Sequence, residues 1–443
     1  MGPSRSLWRH RDFRLLWGGQ AVSRLGSQVS ILAIPLVAIQ LLHASTFEVG
    51  LLSTFETLPF LLVGLPAGAW VDRMARRPVL IGADVGRALL LATVPVGRET
   101  GVLGMGQLYA VALSTGVLTV FFDVAYQSYL PALVERDELV DGNAKLAATD
   151  SGAQVVGPGI GGTLIAAVGA ANAVVADAGS FVVSCLSLAF IRAREERHPR
   201  TTSAQPRTTL RTEIAEGLRF VLREPRIRSV AGATGTANLF SSMLFAVLLV
   251  FAVRQLGLGP GRLGLVFALG NVGALIGALT GGRIARRVGV GPTILWSMVL
   301  CGAGNLAFPL ATPGTATLLL VVGTAVTAGG SVVYNISQVS MRQALCPLHL
   351  QGRMNASVRC LIWGTMPIGA FLGGVFGTWL GLRTTLWIAA GGGLGAFLWI
   401  LPSPVPGIRD MPEPTGEPGG EVEPPPLLTG EPAPGEHVEA PTP

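Results

Sequence analysis

The residues best suited to chemistry are two charged side chains set deep in long apolar stretches. Glu56 stands nine residues into such a stretch, which is about 14 Å from its start at about 1.5 Å per residue of helix. A carboxylate at that depth can take up and release a proton, so Glu56 is our first candidate for proton binding. Arg24, ten residues into an earlier stretch, could pair with a carboxylate or meet an anionic ligand. For both residues, an ion pair that only fixes helix packing stays an equal alternative.

Other polar residues in apolar stretches can line a cavity or join helices through hydrogen bonds. Asp177 and Asp150 stand near the ends of their stretches, so we expect a packing role for Asp177 and a solvated or capping position for Asp150. Ser331 and Arg342 share one helical face with two of the cavity candidates. These candidates, besides Arg24, are Gln20, Gln28, Asn238, Asn271, Tyr334, Asn335 and Gln338. For each of them interhelical hydrogen bonding is the alternative.

Motifs of soluble enzymes are missing from the sequence. It has no H-E-x-x-H zinc motif, no phosphate-binding G-x-x-x-x-G-K-[ST] loop and no G-x-S-x-G in a suitable context. The four cysteines show no C-x-x-C spacing. The run from Gly157 to Gly162 matches the dinucleotide pattern G-x-G-x-x-G, but it lies in an apolar stretch and not after a strand. We therefore predict no enzyme activity, no metal and no cofactor, and energy from an ion or solute gradient rather than from ATP.

The composition indicates a membrane protein. Of 443 residues, 50% are hydrophobic and only 13% are charged, whereas soluble domains average about 25% charged residues. Continuous apolar runs of about 20 residues indicate spanning helices, and a barrel would show short alternating strands instead. The predicted spans are 14–42, 47–71, 79–98, 103–128, 146–169, 171–191, 227–253, 260–282, 290–311, 314–341, 356–380 and 383–401. The predicted fold is all-α, with twelve transmembrane helices.

The basic residues predict the orientation of these spans. Twenty-five Lys and Arg fall in the termini and in the loops on their side, against four in the opposite loops. Basic loops stay in the cytoplasm, so both termini are expected there. The preference for Arg over Lys suggests a GC-rich bacterial genome, and the expected location is the bacterial cell membrane. We divide the chain into a first bundle (1–191), a central loop with an amphipathic surface helix (192–226), a second bundle (227–401) and a disordered Pro- and Glu-rich tail (402–443).

The two bundles are related by an internal repeat. Asn143-Ala144, Gly152, Gly157 and Gly161-Gly162 recur 212 residues later as Asn355-Ala356, Gly364, Gly369 and Gly373-Gly374. Gly64, Gly68 and Arg73 recur 213 residues later as Gly277, Gly281 and Arg286. Six spans per unit give both units the same orientation. Such a parallel repeat, with two six-helix halves around one midplane site, is typical of secondary transporters.

Several motifs resemble those of a known transporter family. The run Gly68-Ala-Trp-Val-Asp72-Arg73-Met-Ala-Arg76-Arg77 resembles the signature loop between spans 2 and 3 of the major facilitator superfamily. Phe13-Arg14-x-Leu-Trp17-x-x-Gln20, the run Tyr129 to Val134 and Gly352-Arg353-x-Asn355 are similar to its bacterial exporter branch, which includes siderophore exporters and macrolide-type drug efflux pumps. The resemblance covers roughly residues 8 to 401.

This resemblance implies roles for two motifs. The loop is expected to act as a gate latch formed by Gly68, Asp72, Arg73, Arg76 and Arg77, with Asp84 and Asp123 as acidic partners. The second half has Ala285 in place of Asp72, so the latch is asymmetric. The span-5 run Gly157-Pro158-x-x-Gly161-Gly162 is similar to a signature associated with antiporters, although close packing alone would also explain its glycines. Close helix approach is likewise expected at Gly64 and Gly68.

The expected function is export of a small amphipathic compound, such as a drug, antibiotic or siderophore, by alternating access in exchange for protons. The mostly apolar spans suit a hydrophobic or amphipathic cargo. Import of a small solute with protons is the first alternative, and a non-transporting receptor or scaffold on the same fold is the second. The expected partners are the small-molecule substrate, protons and the lipid bilayer, with no nucleic acid, and the chain is expected to be a monomer.

Overall fold

The computed structural model describes residues 7–71, 73–134, 138–192, 218–346 and 351–410. All regular secondary structure in these ranges is helical. Asp72, the tail beyond residue 410 and most of the predicted amphipathic surface helix lie outside the described residues. An all-helical membrane fold is therefore confirmed for the described part of the chain.

Seven α-helices lie in the described residues of the first half. They are α1 (Arg11–Leu36), α2 (Thr46–Leu62), α3 (Gly64–Val71), α4 (Arg76–Glu99), α5 (Met105–Leu133), α6 (Leu139–Val168) and α7 (Ala170–Ala189). One π-helical turn, Val37–Leu41, continues α1. Helices α2 and α3 form one span broken at Val63, because Pro66 lacks the N–H that would reach the carbonyl of Leu62.

The second half repeats this order. Its helices are α8 (Pro225–Arg254), α9 (Pro260–Val288), α10 (Val290–Asn305), α11 (Ala307–Leu310), α12 (Ala316–Leu345), α13 (Gln351–Trp379) and α14 (Leu382–Leu394). Pro309 interrupts the span made by α10 and α11, since it cannot donate to the carbonyl of Asn305. A 3₁₀ segment, Gly395–Trp399, extends α14.

Nine of the helical spans in the described residues are long and apolar enough to cross a membrane. The other three predicted spans correspond to the broken pair α2 and α3, to α13, and to α14 with its 3₁₀ extension. Each of these is helical, so the helix order agrees with the prediction of twelve, whereas the count of twelve crossings stays a prediction.

Glycines of the repeated motif pack each half in the same way. A β-carbon added at Gly161 would lie 3.1 Å from the Cα of Val29 in α1. One added at Gly373, 212 residues later, would lie 2.6 Å from the carbonyl oxygen of Met243 in α8. In both halves the fifth span is therefore pressed against the first, which the offset of the sequence motif anticipates.

The neighbouring glycines join one half to the other. A β-carbon at Gly162 would lie 2.6 Å from the Cα of Gly264, where α6 crosses α9. At the equivalent crossing of α2 and α13, Gly374 faces Gly50. We call the side of the bundle where α1 begins the terminal side and the opposite side the distal side. Both crossings lie toward the distal side, which the two halves therefore close.

A hydrogen bond between the halves reinforces this closure. At the distal end of α8, the Arg254 guanidinium donates to the carbonyl oxygen of Ala44, in the loop between α1 and α2, at 2.5 Å. A charged donor held by a backbone carbonyl links the two halves outside the glycine crossings.

A buried ion pair holds the middle of the first half. Asp84 and Arg87 of α4 are 0% and 6% exposed, and their oxygen and nitrogen are 2.5 Å apart. The Arg87 guanidinium lies between two rings, 4.3 Å from the centre of Phe122 and 4.1 Å from that of Phe181. Because these rings belong to α5 and α7, the pair connects three helices.

We predict that Gly162→Ala opens the distal side. The added methyl group would meet the backbone of Gly264, and overpacking of this kind costs about 1 to 3 kcal/mol. If this free-energy cost falls only on the state with the distal side closed, it shifts the conformational equilibrium toward the open state by about 5- to 150-fold. Spin labels at Val168 and Arg262, measured by electron–electron double resonance, should report a longer-distance population. The control is Gly152→Ala on the same helix, where nothing lies within 4 Å. Unchanged distances in Gly162→Ala would contradict the assignment.

We also predict that Arg87→Met destabilises the protein by about 3 to 5 kcal/mol, because it leaves the Asp84 carboxylate buried without its cation. The double variant with Asp84→Asn should recover most of the loss, since both charges are then removed together. The free energy of unfolding of the single and double variants is measured with purified protein in micelles. Additive effects of the two substitutions would show that the residues do not act as a pair.

Candidate functional site

The larger polar cavity lies in the second half. It has a volume of about 360 Å³, which is within the usual size range for a small-molecule site. We call it the second-half cavity. Its walls come from α8, α10, α12, α13 and α14. Hydroxyl, amide and guanidinium groups are contributed by Thr234, Asn238, Ser241, Asn305, Thr327, Ser331, Tyr334, Asn335, Gln338, Arg342 and Arg359.

One face of α12 supplies a polar stripe along this cavity. Gln338 donates from its side chain to Asn335 at 2.9 Å. The Tyr334 hydroxyl lies 2.6 Å from that of Thr234 in α8. Four predicted residues therefore line this cavity, since Asn238 does so as well and donates to the carbonyl of Ile362 at 3.3 Å. Their helical spacing agrees with this shared face of α12, whereas contact with a substrate stays a prediction.

A second cavity of about 270 Å³ lies between the halves. Phe60 of α2 and Asp123 of α5 line it from one half, and Arg359 and Trp363 of α13 from the other. The rings of Phe60 and Trp363 are 4.9 Å apart, and the Arg359 guanidinium lies 4.8 Å from the Trp363 ring. We call this the interbundle cavity. Arg359 and Trp363 line both cavities, so the two cavities adjoin on the terminal side of the glycine crossings.

Glu56 lines neither cavity but stands just distal to the interbundle cavity. It lies one turn distal to Phe60 on the same face of α2, and its side chain is half-buried. In the described part of the chain no hydrogen bond or ion pair is made by its carboxylate. Helix α5 packs closely at this turn, because a β-carbon at Gly116 would lie 3.0 Å from the backbone oxygen of Glu56. An unpaired carboxylate is thus placed between the cavity and the closed side.

The structure gives Arg24 two carboxylate partners. Its guanidinium lies 3.1 Å from Asp150 of α6 and 3.8 Å from Asp123 of α5. Asp150 was expected to be solvated or capping, and its pairing with Arg24 differs from that expectation. Gln20, one turn before Arg24, is buried with its amide nitrogen unpaired in the described region. Arg24 therefore ties three helices together next to the interbundle cavity.

Two cavity candidates take part in helix packing instead. The Gln28 side chain fills the space beside Gly157, where an added β-carbon would lie 2.5 Å from it. Asn271 of α9 donates to the carbonyl of Gln154 in α6 at 2.6 Å. Neither lines either cavity, and both follow the alternative of interhelical contact.

The gate-loop residues are only partly described. Arg77 donates to the carbonyls of Leu188 and Ala189 at the end of α7, at 2.9 and 2.5 Å. Arg73 is exposed and Arg76 is half-buried, and Asp72 lies outside the described residues. Arg77 thus caps a helix whose last carbonyls carry partial negative charge.

Other expectations for this motif differ from the structure. The expected partners of the loop arginines pair elsewhere, Asp84 with Arg87 and Asp123 with Arg24. Gly64 and Gly68 line the interbundle cavity, and an added β-carbon would meet nothing within 4 Å. These two glycines therefore leave space instead of allowing close helix contact, because their helix face turns toward the cavity.

Sequence reasoning missed Arg359 and Trp363 as site residues. Both project from α13 into the site, one turn apart. A usable signal existed, because an arginine and a tryptophan at i and i+4 stack readily on one helix face. Phe60 was missed as well, since an aromatic residue in an apolar span has no distinguishing pattern.

The chain matches a known family over almost its whole helical part. The family described as transmembrane secretion effector matches residues 4–417. The multidrug efflux pump Tap of Mycolicibacterium fortuitum is 30% identical, over 81% of this chain and 88% of the relative. The enterobactin exporter EntS of Salmonella choleraesuis is 27% identical, over 78% and 81%.

Solved structures agree on the fold. A bacterial homologue of the iron transporter ferroportin, in an inward-facing state, superposes with a TM-score of 0.69 at 18% identity and covers 90% of this chain and 99% of that one. The nucleoside transporter NupG gives a TM-score of 0.67 at 13% identity, with 88% and 98% covered.

These matches agree with the all-helical fold derived above. The chain belongs to the transmembrane secretion effector family of the major facilitator superfamily, within its exporter branch.

Proposed function

We propose that this protein exports a small amphipathic compound across the bacterial cell membrane by alternating access. The observation that carries the proposal is a pair of adjoining cavities, one within the second half and one between the repeat-related halves, whose distal side is closed. Relatives named as a multidrug efflux pump and an enterobactin exporter support the direction of transport. The basic loops support a cytoplasmic terminal side, so this state would accept cargo from the cytoplasm.

The glycine crossings suit the conformational step. Gly162 against Gly264 and Gly50 against Gly374 bring backbones together without side chains between them. Such contacts need no rearrangement of rotamers when they part. Release of cargo on the distal side requires these two crossings to separate and the terminal side to close, as the halves rock about the central site.

We assign proton exchange to Glu56. Its carboxylate has no hydrogen-bond or ionic partner among the described residues, whereas Asp84, Asp123 and Asp150 each lie beside an arginine. Asp177 has no described ion pair either, but its carboxylate accepts hydrogen bonds from the hydroxyls of Ser27 and Ser180. A carboxylate in hydrocarbon without a cation is most stable when protonated, and contact with water favours its release of the proton. Because Glu56 lies between the cavity and the distal closure, movement of the halves changes its access to water. Proton uptake on one side and release on the other would then drive export.

We predict that Glu56→Gln loses export driven by a pH gradient by at least tenfold, because the amide cannot ionise. The assay uses proteoliposomes with an imposed pH gradient and two dyes of one ring system, anionic fluorescein and cationic rhodamine 123. The matched control is Glu99→Gln, an exposed carboxylate at the end of α4.

Exchange of dye for dye without a pH gradient separates coupling from folding. Glu56→Gln should keep this exchange, since the halves can still move with cargo bound. Full pH-driven export by Glu56→Gln would contradict the assignment of the proton to this residue. If wild-type protein moved neither dye, export of this cargo class would be refuted.

A further inference from the structure

The two halves differ in the sign of their charge. From Pro225 to Arg409 the sequence contains twelve arginines and no Asp or Glu. All acidic residues within the described spans, including Glu56 and Asp123, therefore belong to the first half. The wall that the second half gives to the site carries cations without any carboxylate of its own.

Arg342 is the buried cation of that wall. It lines the second-half cavity, is 9% exposed, and has an Nε atom with no hydrogen-bond partner in the described part of the chain. Its place in the last turn of α12 gives it the favourable partial charge of a helix end. Its Nε donor therefore stays available beside the cavity that Arg342 lines.

The second arginine of the cavity is differently placed. Arg359 stacks on Trp363 and lines the interbundle cavity together with Asp123, so a carboxylate is already near it. None of the described residues that line the second-half cavity is acidic. Among the described residues that line this cavity, Arg342 is thus the cation with no carboxylate beside it.

We propose that the second-half cavity binds an acidic group of the cargo, a carboxylate or a similar oxyanion, through the Arg342 guanidinium. A guanidinium presents paired N–H donors that match a carboxylate, and the interaction strengthens away from water. Arg359 adds positive charge, and Met298, Ile362 and Trp363 provide apolar surface for the rest of the molecule. The cargo class is then an amphipathic organic acid. This inference rests on the proposed function only where it treats the bound acid as the transported cargo, because binding itself can be measured without transport.

The test is equilibrium binding of fluorescein and rhodamine 123 to full-length protein in lipid nanodiscs, with empty nanodiscs as the baseline. We expect wild-type protein to bind fluorescein at least tenfold more tightly than rhodamine 123. Arg342→Gln should weaken fluorescein binding at least tenfold and leave rhodamine 123 binding unchanged, and Arg342→Lys should retain part of the affinity. Arg262→Gln, an exposed arginine at the start of α9, is the matched control and should change neither.

Thermal unfolding distinguishes a binding role from a structural one. Arg342→Gln should melt at or above the wild-type temperature, since it removes a buried charge that has no partner. The proposal is overturned if wild-type protein binds no fluorescein or prefers rhodamine 123, if Arg342→Gln binds fluorescein normally, or if it melts well below wild type. Fluorescein binding without any transport would refute export and leave this site standing. Export of rhodamine 123 alone would refute this site and leave export standing.

Discussion

A charge inside a bilayer must be neutralised by a partner or by a ligand, because hydrocarbon cannot solvate it. The first half meets this constraint with internal pairs. Arg87 holds Asp84 between two aromatic rings, and Arg24 lies beside two carboxylates. Asp177 is held by the hydroxyls of Ser27 and Ser180 instead. In the described structure Glu56 in the first half and Arg342 in the second have neither an ion pair nor a described side-chain hydrogen bond. We infer that Glu56 and Arg342 are neutralised during the transport cycle, Glu56 by a proton and Arg342 by an acidic cargo.

The repeat provides the movement that these charges need. Each fifth span carries two consecutive glycines, one facing the first span of its own half and one facing the other half. Gly161 and Gly373 pack the fifth span against the first within each half. Gly162 and Gly374 form the distal closure between the halves. The same two-residue motif therefore makes the contacts within a half and the contacts between the halves. A half can move as a rigid body while only its contacts with the other half separate.

Much of this arrangement could be predicted from the sequence. The apolar runs predict the helices, the offset of 212 predicts the paired glycines, and the spacing along α12 predicts the polar stripe. The rotation of a helix about its axis could not be predicted where all faces are apolar. Gly64 and Gly68 therefore line a cavity instead of a contact, and Asn271 bonds to α6 instead of facing the site. Pairing across helices, such as Arg24 with Asp150, leaves no spacing signal in the chain, because the partners are 126 residues apart.

Exchange of cargo for protons is the central claim. The most direct test is whether cargo that moves down its own gradient drives protons in the opposite direction. Proteoliposomes loaded with whichever of the two dyes the protein carries are diluted into weakly buffered medium without a pH gradient, and a pH electrode follows the outside. The account predicts that dye leaving through the protein draws protons inward, so the medium becomes alkaline, and that Glu56→Gln abolishes this change while dye still exchanges. Acidification of the medium as dye leaves, or dye flux with no movement of protons, would contradict the account.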